Sequence, residues 1–573
     1  MSEVIVGRGG GGGGKGGGGD SARAAVEAPD SLRSRQHVRV LHVISEGEIE
    51  GIVDGNKGIF FDDVPLQNTN NSYNFTNVSI ETRPGTQWQQ HMSITGLEAE
   101  QSVGVELRYG VGIERAITDQ DVDAVRITVS TPQLSEQNTS NGDTNASSAS
   151  FRVEGKLGGG AWIKLCADLT ITGKTMSRTQ FSYYLKLPLS GGLPRYIRLT
   201  RLTADSGRAA IQNRTFFDSY TLLWDEKLRY PNTAMLGLSI DAQQFASIPR
   251  MAFLIKGIKV LVPSNYNPLT RVYTGSWSGT FTRAWTDNPA WIWYDMLTNT
   301  RYGLGGLLDS TLIEKYSLYS IAQYCDVLVP DGYGGMEPRF TCNLALTTQI
   351  DAWKLVNDMV SVFRAICFWA GGSLTAVQDA PRPSSRYPFN NSNVVGGEFN
   401  YQSVASDQRF NVAAVTWNDP LQQYKQSVEI VERPDLIAKW NRIQQSDVVA
   451  IGCTSRGQAR RLGRWLLYAE SEAVTFATGA DGALPLPGDI IDIADANRAG
   501  ARNGGRLLAG STASTLLLDA PIGLAGSGVI GVVLADGSYA TASVTIAAGA
   551  SSVTVSPPLA SVPLASAPWT FST

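Results

Sequence analysis

The sequence contains few of the side chains on which most catalytic and metal sites depend. Its 573 residues include three histidines, His37, His42 and His91, all near the N-terminus. In a strand-like run His37 and His42 would face opposite sides, so they would not bind one metal together. The G-x-S-x-G and phosphate-loop patterns are also missing. We therefore expect neither a histidine-dependent triad nor an H-E-x-x-H zinc site, and we predict no catalytic residue.

The cysteines are few, odd in number and widely spaced. They are Cys166, Cys325, Cys342, Cys367 and Cys453. This spacing provides neither a disulfide framework nor a C-x-x-C zinc pair, and it favours assembly in a reducing compartment. Cys325, Cys342 and Cys367 surround the predicted central helices and could in principle converge on a cluster. Because free cysteines are more often small buried hydrophobes, we predict that no metal or cofactor is bound.

Charge is also sparse. Charged residues make up 17% of the chain and the net charge is −4, so there is no electrostatic footprint for a specific nucleic-acid site. No apolar run reaches the length of a membrane-spanning helix. Glycine (59 residues) and proline (25 residues) are abundant instead. This balance is typical of turn-rich β-structure with large buried interfaces.

Changes in composition divide the chain into segments. The length of the chain also predicts several domains. They are a glycine-rich, flexible basic arm (1–35), an N-terminal β-segment (36–100), an inserted β-sandwich (101–223), a central α+β region (224–380), strands with a capped helix (381–480), and a small β-barrel or sandwich without helices that is incomplete at its C-terminus (481–573). The arm either stays flexible or orders against a neighbouring subunit. The predicted fold class is α+β, predominantly β and multidomain.

The segment around residues 250–339 is rich in aromatic residues. Four tryptophans, Trp277, Trp285, Trp291 and Trp293, lie close together and follow Tyr266. Each large ring buries on the order of 150–250 Å², which is more than one domain core of this size should enclose. We therefore predict that these five residues lie at or beside subunit contacts.

Helix signals occur within this segment and after it. Asn288 is predicted to cap a helix that starts at Pro289 and ends near Asn299. Asp309 is predicted to cap the next helix, and Thr348 a third. Gly371 and Gly372 are predicted to turn a hairpin. By contrast, the polar tract 135–148 is predicted to be a long exposed loop.

A further helix is indicated by a capping box formed by Ser455 and Gln458. We predict that its apolar residues face inward and its arginines face the other way. The predicted inward residues are Leu462, Trp465, Leu466 and Ala469, and the arginines are Arg456, Arg460, Arg461 and Arg464. In an acidic protein such an arginine face is typical of a solvated or subunit-contacting surface.

Several longer motifs occur in one order along most of the chain. They are I-S-E-G-E-I-E-G-I-V-D-G (44–55), Y-P-N-T-A (230–234), V-P-S-N-Y-N-P-L-T-R-V-Y-T-G (262–275), W-Y-D-M-L-T-N-T-R-Y-G (293–303), Q-Y-C-D (323–326), V-P-D-G-Y-G-G-M-E-P-R (329–339), G-C-T-S-R-G-Q-A (452–459) and P-G-D (487–489). Together they resemble the tail-tip attachment, or host-specificity, protein J family of lambda-like siphophages. The run from Trp293 departs from the family pattern by one residue fewer before Asp295.

This resemblance implies a structural role in the virion. It implies a homotrimeric hub at the distal tail tip, assembled in the host cytoplasm, that closes the tail tube and carries the receptor-binding fibre. Other tail-tip and tail-tube proteins would be its partners. A host outer-membrane receptor would be bound through a C-terminal part outside this chain, because the strand signal at Trp569 and Phe571 stops at once and would leave an unpaired edge. A short hub paired at this edge with a separate fibre protein is the alternative.

A second function class remains open from the residues alone. A tail-associated hydrolase of cell-surface glycan would need a carboxylate pair among aromatic residues. Glu337, near Tyr333 and Phe340, is the best candidate for such a carboxylate. Its alternative interpretation is a structural carboxylate.

Overall fold

The computed structural model describes residues 25–573, except 33, 35–36, 94–96, 188–193, 225–226, 242–243, 246, 349, 382–384, 386, 404–408 and 470–471. Strands make up most of the regular structure, and the helices are short. The predicted α+β, predominantly β, multidomain class is confirmed. The chain divides into two compact units, Met1–Ile258 and Lys259–Thr573.

The N-terminal unit begins with short strands. They are β1 (His37–Glu46), β2 (Ile49–Ile52), β3 (Ile59–Phe61), β4 (Val64–Pro65) and β5 (Ser79–Arg83). Ile59 and Phe61 of β3 are buried with Leu66 in a small core. This core also includes Leu236, Leu238 and Ile240, which belong to a later strand at Thr233–Asp241.

A β-sandwich follows. Its strands are β6 (Leu97–Leu107), β7 (Gly112–Ile117), β8 (Ala124–Thr131), β9 (Ser135–Gln137), β10 (Thr144–Asn145), β11 (Ser147–Leu157), β12 (Ile163–Lys164), β13 (Leu169–Gly173), β14 (Thr179–Lys186), β15 (Arg195–Arg201), β16 (Ile211–Gln212) and β17 (Thr215–Trp224). The two main sheets have the orders β14-β8-β17-β6 and β12-β11-β15-β7. Ile127 of the first sheet and Phe151 and Val153 of the second share one buried core. Alternate residues of β11 and β17 are buried, as expected for strands with one face on a core. These two sheets occupy the region for which the sequence predicts an inserted β-sandwich.

The strands β18 (Thr233–Asp241), β19 (Met251–Phe253) and β20 (Ile255–Ile258) follow the sandwich. β18 pairs antiparallel with β1 along its whole length, and β20 pairs with β2. The sandwich is thus inserted between two strands of one sheet. Its ends are neighbours, because Leu97 at the start of β6 pairs with Trp224 at the end of β17.

Residues 27–32, which we call the N-terminal strap, lie against the sandwich. Glu27 bridges Thr144, and the amide of Leu32 donates to the Lys174 carbonyl. The Lys174 side chain is only 3% exposed, and its ammonium donates to Glu27 at 2.7 Å and Asp30 at 2.9 Å. The prediction of a flexible arm is wrong for these residues, because a buried lysine needs their carboxylates. Residues 1–24 of that arm lie outside the described residues.

The polar tract 135–148 is not one long loop. Its ends form β9 and β10, which pair with each other, and β9 also pairs with β16. Residues 138–141 form the exposed turn between them. One partner of β9, the strand β16, lies far away in sequence, so no local pattern announces that part of the pairing.

The C-terminal unit opens with the aromatic segment. Its elements are β21 (Val260–Pro263), β22 (Tyr266–Asn267), β23 (Val272–Tyr273), β24 (Phe281–Ala284), α1 (Pro289–Thr298), α2 (Lys315–Asp326), β25 (Leu328–Pro330) and β26 (Met336–Pro338). The predicted first helix is confirmed, with Asn288 accepting from the Ala290 amide at 3.0 Å. The second helix starts later than predicted, because Asp309 caps only a 3-10 turn at Ser310–Leu312. Ile313 is then held extended by a bridge to Leu374, and α2 begins after the cap Glu314.

A helix and a hairpin come next. They are α3 (Ala352–Val362), β27 (Ala365–Ala370) and β28 (Ser373–Gln378). Asp351 caps α3, not Thr348 as predicted; its carboxylate accepts an amide of the first turn and suits the positive end of the helix dipole. Gly371 and Gly372 have positive φ angles of 59° and 82°, and they turn the hairpin as predicted.

The following elements are β29 (Tyr387–Asn390), β30 (Asn400–Ser403), β31 (Val412–Asp419), β32 (Lys425–Glu432), α4 (Pro434–Trp440), β33 (Gln445–Val449), α5 (Arg456–Tyr468), β34 (Glu472–Thr475) and β35 (Ile491–Ala494). The predicted capping of α5 is confirmed, since Ser455 accepts from the Gln458 amide at 3.1 Å. α5 lies on the sheet β32-β31-β33, but through a different face from the one predicted.

The buried residues of α5 are Gly457, Gln458, Ala459, Gly463 and Leu467. A Cβ atom at Gly463 would lie 2.7 Å from the Val431 side chain, so a close helix-to-sheet approach selects this small-residue face. Leu462, Trp465 and Leu466 are half-buried and Ala469 is exposed. The predicted inward face was wrong because the prediction considered only hydrophobicity and not the close approach of the helix to the sheet.

The last elements are α6 (Ala496–Ala499), β36 (Gly504–Arg506), β37 (Thr515–Leu517), β38 (Gly526–Val533), β39 (Tyr539–Ile546), β40 (Ser552–Thr554) and β41 (Pro568–Ser572). The single turn α6, capped by Asp495, corrects the prediction of no helix. β41 pairs with both β36 and β38, and Trp569 and Phe571 are buried. The prediction of an unpaired edge at this strand is therefore wrong, because the strand lies inside the sheet.

Candidate functional site

Aromatic rings from the short strands and loop before α1, from α1 itself and from α2 pack together. We call this set the aromatic cluster; its members are Tyr266, Tyr273, Trp277, Phe281, Trp291, Trp293, Tyr294 and Tyr319. Trp277 stacks on Tyr319 with ring centroids 4.9 Å apart, and Phe281 stacks on Tyr294 at 4.6 Å. Such pairs contribute about 0.5–1.5 kcal/mol beyond their buried area. The cluster is therefore a strongly held, rigid core.

The predicted interface residues occupy different depths in this core. Trp291, Trp293 and Tyr266 are 0%, 1% and 6% exposed. Trp277 and Trp285 are half-buried, and Trp277 donates its indole N–H to the Thr280 carbonyl at 2.6 Å. One chain thus encloses most of the rings. A subunit contact at this segment would use the half-buried pair, with the buried rings supporting it from beneath.

A buried ionic network lies beside the rings. The Arg271 guanidinium donates to Asp287 at 2.6 Å and to Asp326 at 2.9 Å. Asp326 also accepts from the Tyr273 hydroxyl at 2.9 Å and the Asn288 amide at 2.8 Å. Burial, and then the nearby charge of Asp326, raise the pKa of the Tyr273 phenol, which keeps it a proton donor. This network joins the loop, α1 and α2.

The motif from residue 293 to 303 is also held by a carboxylate that links separate segments. The Asp295 carboxylate accepts from the Leu261 amide at 3.0 Å and from the Tyr302 hydroxyl at 2.5 Å. A Cβ atom at Gly303 would lie 2.1 Å from the Met296 carbonyl oxygen, so no larger residue fits there without a shift. Asp295 thus connects this motif to β21.

Sequence reasoning missed these polar residues as a site. Arg271 and Asp326 are 55 positions apart, and neither has a local pattern that points to the other. Asp287 directly precedes the helix cap Asn288, and an acidic residue at this position is common at ordinary helix starts. Only the fold shows that the three charges meet.

Glu337, the candidate glycosidase carboxylate, is held by α5. Its carboxylate accepts from Arg461 at 2.5 Å and from the Ser455 hydroxyl. In the same way, Glu429 accepts from Arg456 at 2.7 Å. Two arginines of the predicted solvated face are therefore engaged within the chain. In this arrangement Glu337 ties β26 to α5.

The buried thiols are poor metal ligands as they stand. Burial raises the pKa of Cys342 to about 12 and that of Cys453 to about 11. Cys325 is fully buried, and its pKa is also raised by desolvation. Because the thiolate is the ligand and nucleophile, these groups are unreactive near neutral pH. Among the described residues, no three His, Cys, Asp or Glu side chains form a group that could hold a metal ion.

Comparisons with known proteins relate this architecture to phage tails. The family described as "Tip attachment protein J, FNIII-A domain" matches residues 97–226, which contain the sandwich. The family described as "Putative phage tail protein" matches residues 351–509, from α3 to the last β-module. No helix in the described part of the chain is long and apolar enough to cross a membrane.

Two curated relatives align with most of the chain. The "Tip attachment protein J" of Escherichia phage SECphi4 is 36% identical over 86% of this chain and 44% of its own length. The protein of the same name from Escherichia phage SECphi27 is 36% identical over 82% of this chain and 39% of its own length. The chain thus spans less than half the length of these relatives. A solved structure titled "CBM4 structure and function" aligns with 32% of this chain and 96% of its own at 10% identity, with a TM-score of 0.12, a value too low to support an inference.

Proposed function

The chain belongs to the tip attachment protein J family, and on that premise we propose that it acts at the distal tip of a phage tail in attachment of the virion to its host cell. The observation that carries this proposal is 36% identity with a tip attachment protein across 86% of the chain. The two family matches, at residues 97–226 and 351–509, lie in different units and agree with it.

Within the tail tip, we propose a hub that closes the tail tube, carries the receptor-binding fibre and takes part in genome entry. Such a hub has to keep its shape while its neighbours move. The aromatic cluster and the Arg271 network support this role, because both tie loops to helices over large sequence distances. The hub would be made and assembled in the host cytoplasm.

We further propose that the hub is a homotrimer in contact with other tail-tip and tail-tube proteins, and that the assembly engages a host outer-membrane receptor. The half-buried Trp277 and Trp285 would lie at or beside subunit contacts. Aromatic residues are enriched in such interfaces and often carry a large share of their binding energy.

The direct test is to locate and count the chain in purified phage particles. Gold-labelled antibodies against the chain should mark the distal end of the tail, and quantitative mass spectrometry should give three copies per tail. Label along the tube or on the capsid would contradict the tail-tip position. A copy number other than a multiple of three would contradict the trimer alone.

The role proposed is structural and non-enzymatic. The geometry gives no support to a hydrolase centred on Glu337, whose carboxylate is already engaged by Arg461 and Ser455. Glu337→Gln should leave any glycan release by purified tails unchanged. Loss of such release with normal tail assembly would favour the hydrolase.

A further inference from the structure

A cavity of about 460 Å³ lies within the C-terminal unit, between the β27–β28 hairpin and α5. Its wall is mainly apolar, with Ile366, Val377, Leu462, Trp465 and Leu466 among its residues. The volume falls within the range of sites that enclose an apolar ligand, roughly 300–1,000 Å³. This cavity is separate from the aromatic cluster and from the Arg271 network.

Two of the motifs recognised in the sequence meet at this wall. The motif at 452–459 contributes Cys453 and Gln458, and the motif at 487–489 contributes Gly488. Gly488 has a φ of 85°, and a Cβ atom there would lie 2.6 Å from the Val377 side chain. Glycine is therefore required for the chain to pass this close to the hairpin.

Arg364, which forms no ion pair with a carboxylate among the described residues, also lines the cavity. The Arg364 guanidinium carbon lies 5.3 Å from the Phe340 ring and 5.4 Å from the Trp465 ring. One terminal nitrogen donates to the Arg461 carbonyl at 2.7 Å. Its Nε is buried without a hydrogen-bond acceptor in the described part of the chain. Buried polar groups normally have a partner, so Arg364 is incompletely paired within the described part of the chain.

The charges around Arg364 leave positive charge in excess. Arg339 and Arg461 also have buried Nε atoms that lack an acceptor among the described residues. Of the nearby carboxylates, Glu337 pairs with Arg461, and Asp379 is exposed and accepts from the Trp465 indole N–H at 2.8 Å. Burial and the charge of Arg461 lower the pKa of Arg364 to about 10, which still leaves it charged at neutral pH.

We propose that this cavity binds an apolar side chain next to a carboxylate, both supplied by a segment of a neighbouring protein chain. The apolar group fills the cavity, and the carboxylate pairs with the part of the Arg364 guanidinium that lines it. Ile366 and Val449 are 52% and 66% exposed and extend the apolar wall to the surface. This outer surface fits a polypeptide better than a free amphiphile. The inference rests on the proposed function only for the source of that chain, a protein of the same tail.

The chemistry of the cavity can be tested on the purified chain with decanoate and decanol as probes, by calorimetry. Decanoate should bind at least about tenfold more tightly than decanol, because only decanoate offers a charged acceptor. Arg364→Met should remove this difference, whereas Arg464→Met, on the exposed face of α5, should not. Leu466→Trp should weaken both probes by filling the cavity. Equal binding of the two probes, or no binding, would overturn the site.

The source of the ligand can be tested in assembled tails that carry a photo-crosslinking amino acid at Ile366. A crosslink to another chain, at an apolar residue beside an Asp, a Glu or a C-terminal carboxylate, would support the proposal. Crosslinks only within the chain, or a co-purifying small amphiphile in the cavity, would overturn it. Absence of the unsubstituted chain from tails would instead contradict the proposed function. The experiment therefore distinguishes failure of the cavity proposal from failure of the proposed function.

Discussion

The sandwich of the N-terminal unit and the aromatic cluster of the C-terminal unit are held together in opposite ways. The sandwich buries alternate aliphatic residues from two regular sheets, so many similar contacts share the stabilisation. The cluster buries a few large rings that come from three very short strands, a loop and two helices. Stability is therefore spread over many residues in one region and concentrated in a few in the other.

Two arginines, one from each region, also differ in their acceptors. In the sandwich, Arg195 donates to the backbone carbonyls of Val122 and Asp119, both at 2.7 Å. Beside the cluster, Arg271 is paired with two carboxylates instead. Neutral acceptors tolerate loss of the arginine better than carboxylates do, since an unpaired buried charge is more costly than an unpaired carbonyl. Single substitutions should thus have unequal effects in the two regions.

The largest effect is expected for Trp291→Ala. Removing a fully buried indole should lower the free energy of unfolding of the C-terminal unit by about 3–5 kcal/mol, with the sandwich unchanged. Hydrogen exchange in increasing urea, read by mass spectrometry, follows both units in one sample. Trp369→Ala, at a ring that is 52% exposed on β27, is the matched control. A loss shared equally by both units would contradict the division.

A smaller loss is expected for Arg271→Met. It leaves Asp287 and Asp326 without their cation and should destabilise the C-terminal unit by about 2–4 kcal/mol, below the value for a fully enclosed pair. The same exchange experiment measures it. Arg283→Met is the control, because that arginine is half-exposed and lies 4.0 Å from Asp295. Similar losses for the two variants would show that the network contributes little.

In the sandwich, Ile127→Val should cost only about 0.5–1.5 kcal/mol, the usual effect of removing one buried methylene. Urea unfolding of the N-terminal unit measures the change. Ile163→Val, at a half-exposed position of β12, should be neutral. A loss above the range expected for Ile127 would mean that this core is also concentrated in a few residues.

The smallest effect is a local response of the strap to acid. The hydrogen bond from Lys174 lowers the pKa of Asp30 below its ordinary 3.8. A lowered pKa stabilises the folded strap at pH values above the pKa of the unfolded state. This stabilisation is lost as the pH falls through the pKa of the folded state. Lower hydrogen-exchange protection of residues 27–32, relative to the intrinsic rate at each pH, is therefore expected below pH 3.8, and already at pH 7 in Lys174→Met. Unchanged exchange in both would show that the backbone bonds alone hold the strap.

Local signals were sufficient for much of the fold. Period-two burial in β11 and β17 and the caps Asn288 and Ser455 follow from neighbouring residues, and all were predictable. The start of α2 was not, because a bridge between Ile313 and Leu374 interrupts the helix. Likewise, only tertiary packing decides that α5 turns its glycines inward and that β41 lies inside a sheet.

The candidate sites were less accessible from sequence. The density of rings around Trp291 was visible, but not that one chain could bury so many of them. The partners of Arg271 and the rings around Arg364 are brought together from distant segments by the fold. The positions of Trp277 and Trp285 at subunit contacts stay a prediction.

The pairing of Leu97 with Trp224 has a consequence for how such proteins can diversify. The entry and exit of the sandwich are adjacent strands, about 5 Å apart, while β1 and β18 close the remaining sheet without it. A gene segment encoding this module can therefore be exchanged by recombination as a cassette, with its two junctions side by side at one place in the fold. Selection on the exposed face of the cassette would then proceed without disturbing the scaffold that carries it.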